Sequence, residues 1–215
     1  MALDRYRYIV VEGPIGTGKT SLAKKLAERL QSELMLENAE TNPFLAKFYQ
    51  DGRHYALPTQ LFFLFQRIAQ VQELKQMDLF SRATVADFLL DKDPLFARLN
   101  LSDDELALYR QIFEHMRPQA PAPDLVIYLQ APPDVLMDRV RQRGIGYEQS
   151  ISENYLARLA SSYSDFFYHY NAAPLLIVNN ENLNIIERAG DFDLLLERIG
   201  QMRGGREFFN LADTF

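Results

Sequence analysis

The sequence predicts an α/β fold in which a parallel sheet of about five strands is flanked by helices. Three observations predict it. A β-rich run, Tyr6–Val11, enters a glycine-rich stretch, and a helical run with Leu22, Leu26 and Leu30 on one face leaves it. Apolar strand-like runs then alternate with helical segments. Acidic residues stand at or beside the carboxyl ends of those runs, where such sheets carry their sites.

The glycine-rich stretch is the most specific element. Gly13, Gly16, Gly18, Lys19 and Thr20 fit G-x-x-x-x-G-K-[ST], with Pro14, Ile15, Thr17 and Ser21 completing the loop. Glycines allow backbone N–H groups to turn around a polyphosphate, and the helix that follows points its positive end at it. Lys19 is expected to reach the β- and γ-phosphates and Thr20 to bind magnesium. ATP and Mg2+ are therefore the expected donor and cofactor, and a phosphate-loop (P-loop) kinase is the expected fold.

Leu34–Glu37 reads as a second strand, and Pro43 opens a short helix carrying Phe44, Leu45, Phe48 and Tyr49. Pro58-Thr59 opens a helix over Gln60–Lys75, apolar nearly all round, which must be buried in the protein or in an oligomer interface. Thr84–Phe88 reads as a buried strand, with Asp87 near its end. Ser102 and Glu105 form a capping box for a helix to about Met116, and 118–123 reads as a surface loop. Asp124–Leu129 is a strand, Pro132-Pro133 begins a helix, and Ser152 caps the next. Leu175–Val178 is a late strand, and Asp191–Met202 forms a closing helix.

The 215 residues suit a single domain spanning 1–215. A net charge of −6 argues against a polymeric nucleic-acid partner. With no cysteine there is no disulfide or thiol chemistry. No apolar leader or membrane-length run is visible, so no membrane partner is expected and a cytoplasmic location is the simplest reading.

Glu12, Glu37 and Asp87 sit where a parallel sheet places its site, although each acid alone could be a solvated cap. Glu37 is the candidate base for an alcohol acceptor, and Asp87 is a candidate magnesium ligand. Gln60 and Arg67 share a helical face, with Phe63 between them. They suit either a wall for a nucleobase or the exposed stripe of an amphipathic helix. Arg139, Arg141 and Arg143, followed by Gly144 and Gly146, suit either helix-dipole partners or a basic lid over phosphates at about 141–150.

In this order, these pieces resemble the deoxynucleoside kinase family, over roughly residues 6–180. The resemblance implies a 5′-kinase acting on a deoxynucleoside, with purine deoxynucleosides or deoxycytidine preferred. It makes Glu37 the general base, although the E-P-V-type motif reads Glu37-Asn38-Ala39 here. It assigns Tyr49 and Glu148 to the sugar 3′-hydroxyl, and Gln60, Arg67 and Asp93 to the base edge, with Phe96 stacking on the base. Lys19, Arg139 and Arg143 neutralise the phosphates. The family also suggests a homodimer through the long apolar helix.

Two positions depart from the pattern: Phe88 and Ile145 stand where the family carries arginines, and Arg141 or Lys92 is available to compensate. Those losses leave open a catalytically weakened nucleotide-binding structural or regulatory protein. A nucleoside monophosphate kinase of thymidylate kinase type is the other alternative.

Overall fold

A computed structural model describes residues 3, 5–76, 83–116, 120–185 and 188–210. Six parallel strands form one sheet in the order β2-β3-β1-β4-β5-β6. They are β1 (Tyr8–Glu12), β2 (Glu33–Met35), β3 (Thr84–Ala86), β4 (Leu125–Gln130), β5 (Leu175–Asn179) and β6 (Arg206–Phe209).

Side chains of successive strand residues point to opposite faces, and the sheet uses both. Val10, Val126, Tyr128, Leu175 and Ile177 face one core. There they meet α3 (Gly52–Gln76), α4 (Asp93–Asn100), α5 (Asp103–Met116), α6 (Pro133–Arg143) and α7 (Glu153–His169). Ile9, Val11, Leu125, Ile127, Leu176 and Val178 face the other, against α1 (Lys19–Leu30) and α8 (Ala189–Gln201). A strand buried on both faces reads as a continuous apolar run, as β1, β4 and β5 do.

The differences from expectation have local causes. The second strand covers Glu33–Met35 and exposes two of its three residues, as a short edge strand can; Glu37 stands two residues beyond it. β3 ends at Ala86, so Asp87 and Phe88 lie past the ladder. The long helix begins at Gly52 and runs through Pro58, where the ring forfeits one backbone hydrogen bond. Buried Ala56, Thr59 and Gln60 anchor it on either side. The sixth strand, Arg206–Phe209, was not anticipated: only Phe209 is buried, so its sequence carries no strand alternation. The helix α4 was not anticipated either. The short helix after Pro43 is α2 (Leu45–Gln50).

Ser102 donates through its hydroxyl (2.8 Å) and its backbone N–H (3.0 Å) to Glu105, which closes the start of α5. Ser152 accepts from the Tyr155 N–H at 3.1 Å and caps α7. Of the expected loop 118–123, residues 118 and 119 lie outside the described residues.

Candidate active site

β1 delivers the chain into the phosphate loop at the carboxyl edge of the sheet, and α1 leaves it from Lys19. The glycines are required by geometry. Gly16 and Gly18 have φ of 90° and 83°. A Cβ on Gly13 would stand 2.5 Å from the Leu129 carbonyl oxygen. The Thr17 N–H and hydroxyl both donate to the Pro14 carbonyl, at 3.2 and 2.8 Å. Asn180, just past β5, pins the loop from outside by donating to the Thr17 carbonyl at 2.6 Å.

One open cleft runs along the loop from Gly16 to Ser21, between Arg139 on α6 and the segment 180–185. Arg139 donates to the Asn180 carbonyl at 2.7 Å. Its other terminal nitrogen and the Asn180 side-chain oxygen are buried without a partner among the described residues.

A second cavity opens on the other side of Lys19. Glu37, Tyr49, Gln60, Phe63, Arg67, Asp87, Phe96 and Glu148 all line it, and so does Ile15. The two cavities meet at Lys19, Thr20 and Arg143, which line both.

A continuous polar chain runs from the wall of the second cavity into the core behind it, where Asp93 lies fully buried and lines no part of the cavity. Thr20 donates to Asp87 at 2.5 Å, and the other Asp87 oxygen accepts the Glu37 backbone N–H at 2.7 Å. Arg67 donates through Nε to Glu37 at 2.6 Å and through Nη1 to Asp93. Its guanidinium also stands 5.1 Å from the Phe63 ring centre. Gln60 donates to Asp93 Oδ1 at 2.7 Å, and the Tyr109 hydroxyl donates to the same oxygen. Gln60, Arg67 and Asp93 are buried, so they form no exposed stripe. The alternation of charge is what makes their burial tolerable.

This setting fixes protonation. Burial alone would raise the Glu37 carboxyl, but Arg67, then Lys92 and Lys19, outweigh it and hold it at about 2. Burial lowers the Lys19 ammonium, and Lys92 lowers it further. Burial raises the Tyr49 hydroxyl well above its ordinary range, so it remains a neutral donor.

The lid segment is folded down. α6 ends at Gly144 with φ of 70°, and a short 3-10 turn, Gly146–Ser150, follows. Arg143 makes a two-pronged contact with Glu148, at 2.6 and 2.5 Å. The Tyr147 ring stacks on Tyr49, with centroids 6.1 Å apart and planes 7° apart. Arg141 is exposed, pairs with Glu153 at 3.2 Å and lines neither cavity.

Phe88 is fully buried in the apolar core, whereas Lys92 reaches the cavity. Tyr109, Tyr147, Tyr163 and Asn180 were not singled out from the sequence. Tyr109 alone left a trace, a tyrosine on the buried stripe of α5 beside Leu106 and Phe113, whose hydroxyl needs a partner.

The Thr20 hydroxyl and Asp87 carboxylate are adjacent hard oxygen donors, and they fit a magnesium ion that takes its remaining ligands from phosphates and water. Among the described residues no group of three or more His, Asp or Glu forms a self-contained metal cage, and none is needed for such an ion. No helix among the described residues is long and apolar enough to cross a membrane.

Comparison with known proteins gives a consistent result. The deoxynucleoside kinase family model matches residues 9–202. The chain is 30% identical to a deoxyadenosine kinase of Lactobacillus acidophilus, covering 94% of this chain and 98% of that protein. It is 28% identical to a deoxyguanosine kinase of Bacillus subtilis, covering 91% and 97% respectively. A solved deoxyadenosine kinase from M. mycoides with bound dATP shares the fold, with a TM-score of 0.79 at 21% identity over 91% of this chain and all of that one. The chain therefore belongs to the deoxynucleoside kinase family, phosphotransferases with a hydroxyl acceptor.

Proposed function

We propose that the chain transfers the γ-phosphoryl group of ATP to the 5′-hydroxyl of a deoxynucleoside, with purine deoxynucleosides or deoxycytidine preferred. The observation that carries this reading is the junction of two cavities at Lys19, Thr20 and Arg143. One is walled by a phosphate loop; the other is lined by a carboxylate, Glu37, near the junction and by Gln60 and Arg67, which buried Asp93 holds from behind. That is the layout of a donor site and an acceptor site sharing one reacting point.

In this reading the loop N–H groups and Lys19 hold the phosphates, and Arg139 and Arg143 close over them. Thr20 and Asp87 would hold a magnesium ion, which when bound would supply charge neutralisation on the phosphates. Glu37 accepts the hydroxyl proton. A carboxylate at about 2 is a weak base toward an alcohol. It suits a loose transfer in which the hydroxyl becomes acidic only as its bond to phosphorus forms.

A carboxylate has about four acceptor positions, and Gln60, Tyr109 and Arg67 occupy three of those on Asp93. Asp93 is fully buried and does not line the cavity, so it acts from behind by orienting Gln60 and Arg67, whose amide and guanidinium face the base edge. Tyr49 and Glu148 hold the 3′-hydroxyl, Phe96 faces the base, and Phe63 backs Arg67. Relatives named as deoxyadenosine, deoxyguanosine and deoxyadenosine/deoxycytidine kinases agree with this preference.

The test offers each deoxynucleoside and its 5′-monophosphate side by side with ATP and magnesium. Nucleosides are expected to be converted to 5′-monophosphates; faster conversion of the monophosphates to diphosphates would instead identify a nucleoside monophosphate kinase.

The working unit in this proposal is a cytoplasmic homodimer. Phe65 on α3 and Leu108 on α5 are each 47% exposed on two helices that pack together, which leaves apolar surface for a second copy. Light scattering is expected to give twice the chain mass, and Phe65→Asp with Leu108→Asp to halve it. A wild-type monomer at assay concentration would remove the dimer.

A further inference from the structure

Lys92 is one of the most deeply buried side chains in the molecule, contributed by the turn Leu90–Lys92 just before α4. Its ammonium stands 3.1 and 3.2 Å from the two oxygens of Glu12 and 3.5 Å from Glu37 Oε2. The plainest explanation is a counter-ion for buried Glu12. Glu12, however, also accepts the Gly13 N–H at 3.0 Å, the Leu89 N–H at 2.8 Å and the Tyr163 hydroxyl at 3.1 Å. Counter-ion duty does not explain why the ammonium extends toward a second carboxylate on the cavity wall.

Two further facts bear on it. Lys92 and Lys19 both line the acceptor cavity, close enough for Lys92 to depress the Lys19 ammonium. Two buried ammonium groups lining one cavity repel each other, and a polyanion that enters it attracts both and offsets that repulsion. Phe88 is packed into the core, so position 88 leaves no cation of its own in the cavity.

We propose that Lys92 is a catalytic residue of the phosphoryl transfer, its ammonium contacting the phosphoryl group from the acceptor side while Lys19 contacts it from the donor side. The proposal rests on the reading of the acceptor as a deoxynucleoside 5′-hydroxyl. In the step, the 5′-oxygen bonds to the γ-phosphorus. The bond from that phosphorus to the bridging oxygen breaks, its electron pair leaves on ADP, and the hydroxyl proton passes to Glu37. Lys92 exchanges no proton; it offsets charge on the transferring oxygens and keeps Glu37 turned toward the 5′-oxygen.

Lys92→Met alone strands the Glu12 charge and can unfold the protein, so the decisive variant is Glu12→Gln with Lys92→Met, which removes both charges. The double variant is expected to lower kcat by about 100-fold or more, while KM for ATP and for the deoxynucleoside stays within about threefold of wild type. Lys92→Arg is expected to stay within about tenfold of wild type. A double variant with kcat within about threefold of wild type would reduce Lys92 to a counter-ion and overturn the proposal.

Should the double variant not fold, a wild-type crystal with the deoxynucleoside, ADP, magnesium and aluminium fluoride decides. Lys92 Nζ within about 3.5 Å of a fluoride supports the role, and a greater distance overturns it. Wild type that phosphorylates no deoxynucleoside in the same assay would instead defeat the reading of the acceptor.

Discussion

Glu37→Gln is expected to lower kcat by about 10²–10⁴-fold while leaving ATP binding unchanged. The substitution keeps size and shape but removes a carboxylate that lines the acceptor cavity with Lys19 and pairs with Arg67 through two guanidinium nitrogens. Steady-state kinetics with titration calorimetry for ATP separate the two effects. Equal, negligible transfer by wild type and variant would support a protein that binds nucleotide without turnover.

The same substitution carries a pH signature. The Glu37 carboxyl is held at about 2 in the fold, against 4.5 ordinarily. Because the folded value is depressed, the ion's stabilisation is fully present above the ordinary value and is lost as pH falls toward 2. Glu37→Gln is therefore expected to flatten the dependence of unfolding free energy on pH between about 4.5 and 2. Chemical denaturation across that range measures it.

The second large effect concerns Asp93. It is fully buried and accepts from Gln60, Arg67 and Tyr109 at once. Asp93→Ala strands a tyrosine hydroxyl and half of a guanidinium in a dry site and leaves the Gln60 amide only its bond to the backbone carbonyl of residue 93. The expected cost is about 3–5 kcal/mol, a drop in Tm on the order of 10 °C for a chain of this size. Asp93→Asn, which keeps the volume and one acceptor, is expected to lose less stability yet still lose selection among bases. Thermal melts rank the three proteins; an Asp93→Ala protein as stable as wild type would show that the network contributes no net stability.

The sequence made legible what depends on local pattern. The phosphate loop announces itself because only glycine fits the positive φ at Gly16 and Gly18 and the close approach at Gly13. Strands buried on both faces, such as Leu125–Gln130, are runs of apolar residues that admit little else. Gln60 and Arg67 could be placed on one helical face, but periodicity could not distinguish a buried polar face from an exposed one. Their burial depends on Asp93, the first residue of α4, 26 residues after Arg67.

Lys92 and Tyr109 were obscure for the same reason. Each becomes meaningful only through a partner distant in sequence, Glu12 at a separation of 80 residues and Asp93 at 16. Phe88 looked like a lost cation, yet the next turn of chain supplies an ammonium to the same cavity. Arg143, proposed to close over phosphates, lines the phosphate-loop cleft and pairs with Glu148. An anion entering the neighbouring cleft gives that arginine a competing partner, and the release of Glu148 toward the sugar would follow.

The measurement that bears most directly on the account is kcat/KM for the four deoxynucleosides with ATP and magnesium at one pH. Deoxyadenosine, deoxyguanosine or deoxycytidine is expected to be the best substrate and thymidine the poorest, with Gln60 and Arg67 on the cavity wall, held by Asp93 behind them, reading the base edge. Thymidine turned over at least as well as all three others would contradict the assignment of Gln60, Arg67 and Asp93 as the residues that read the base.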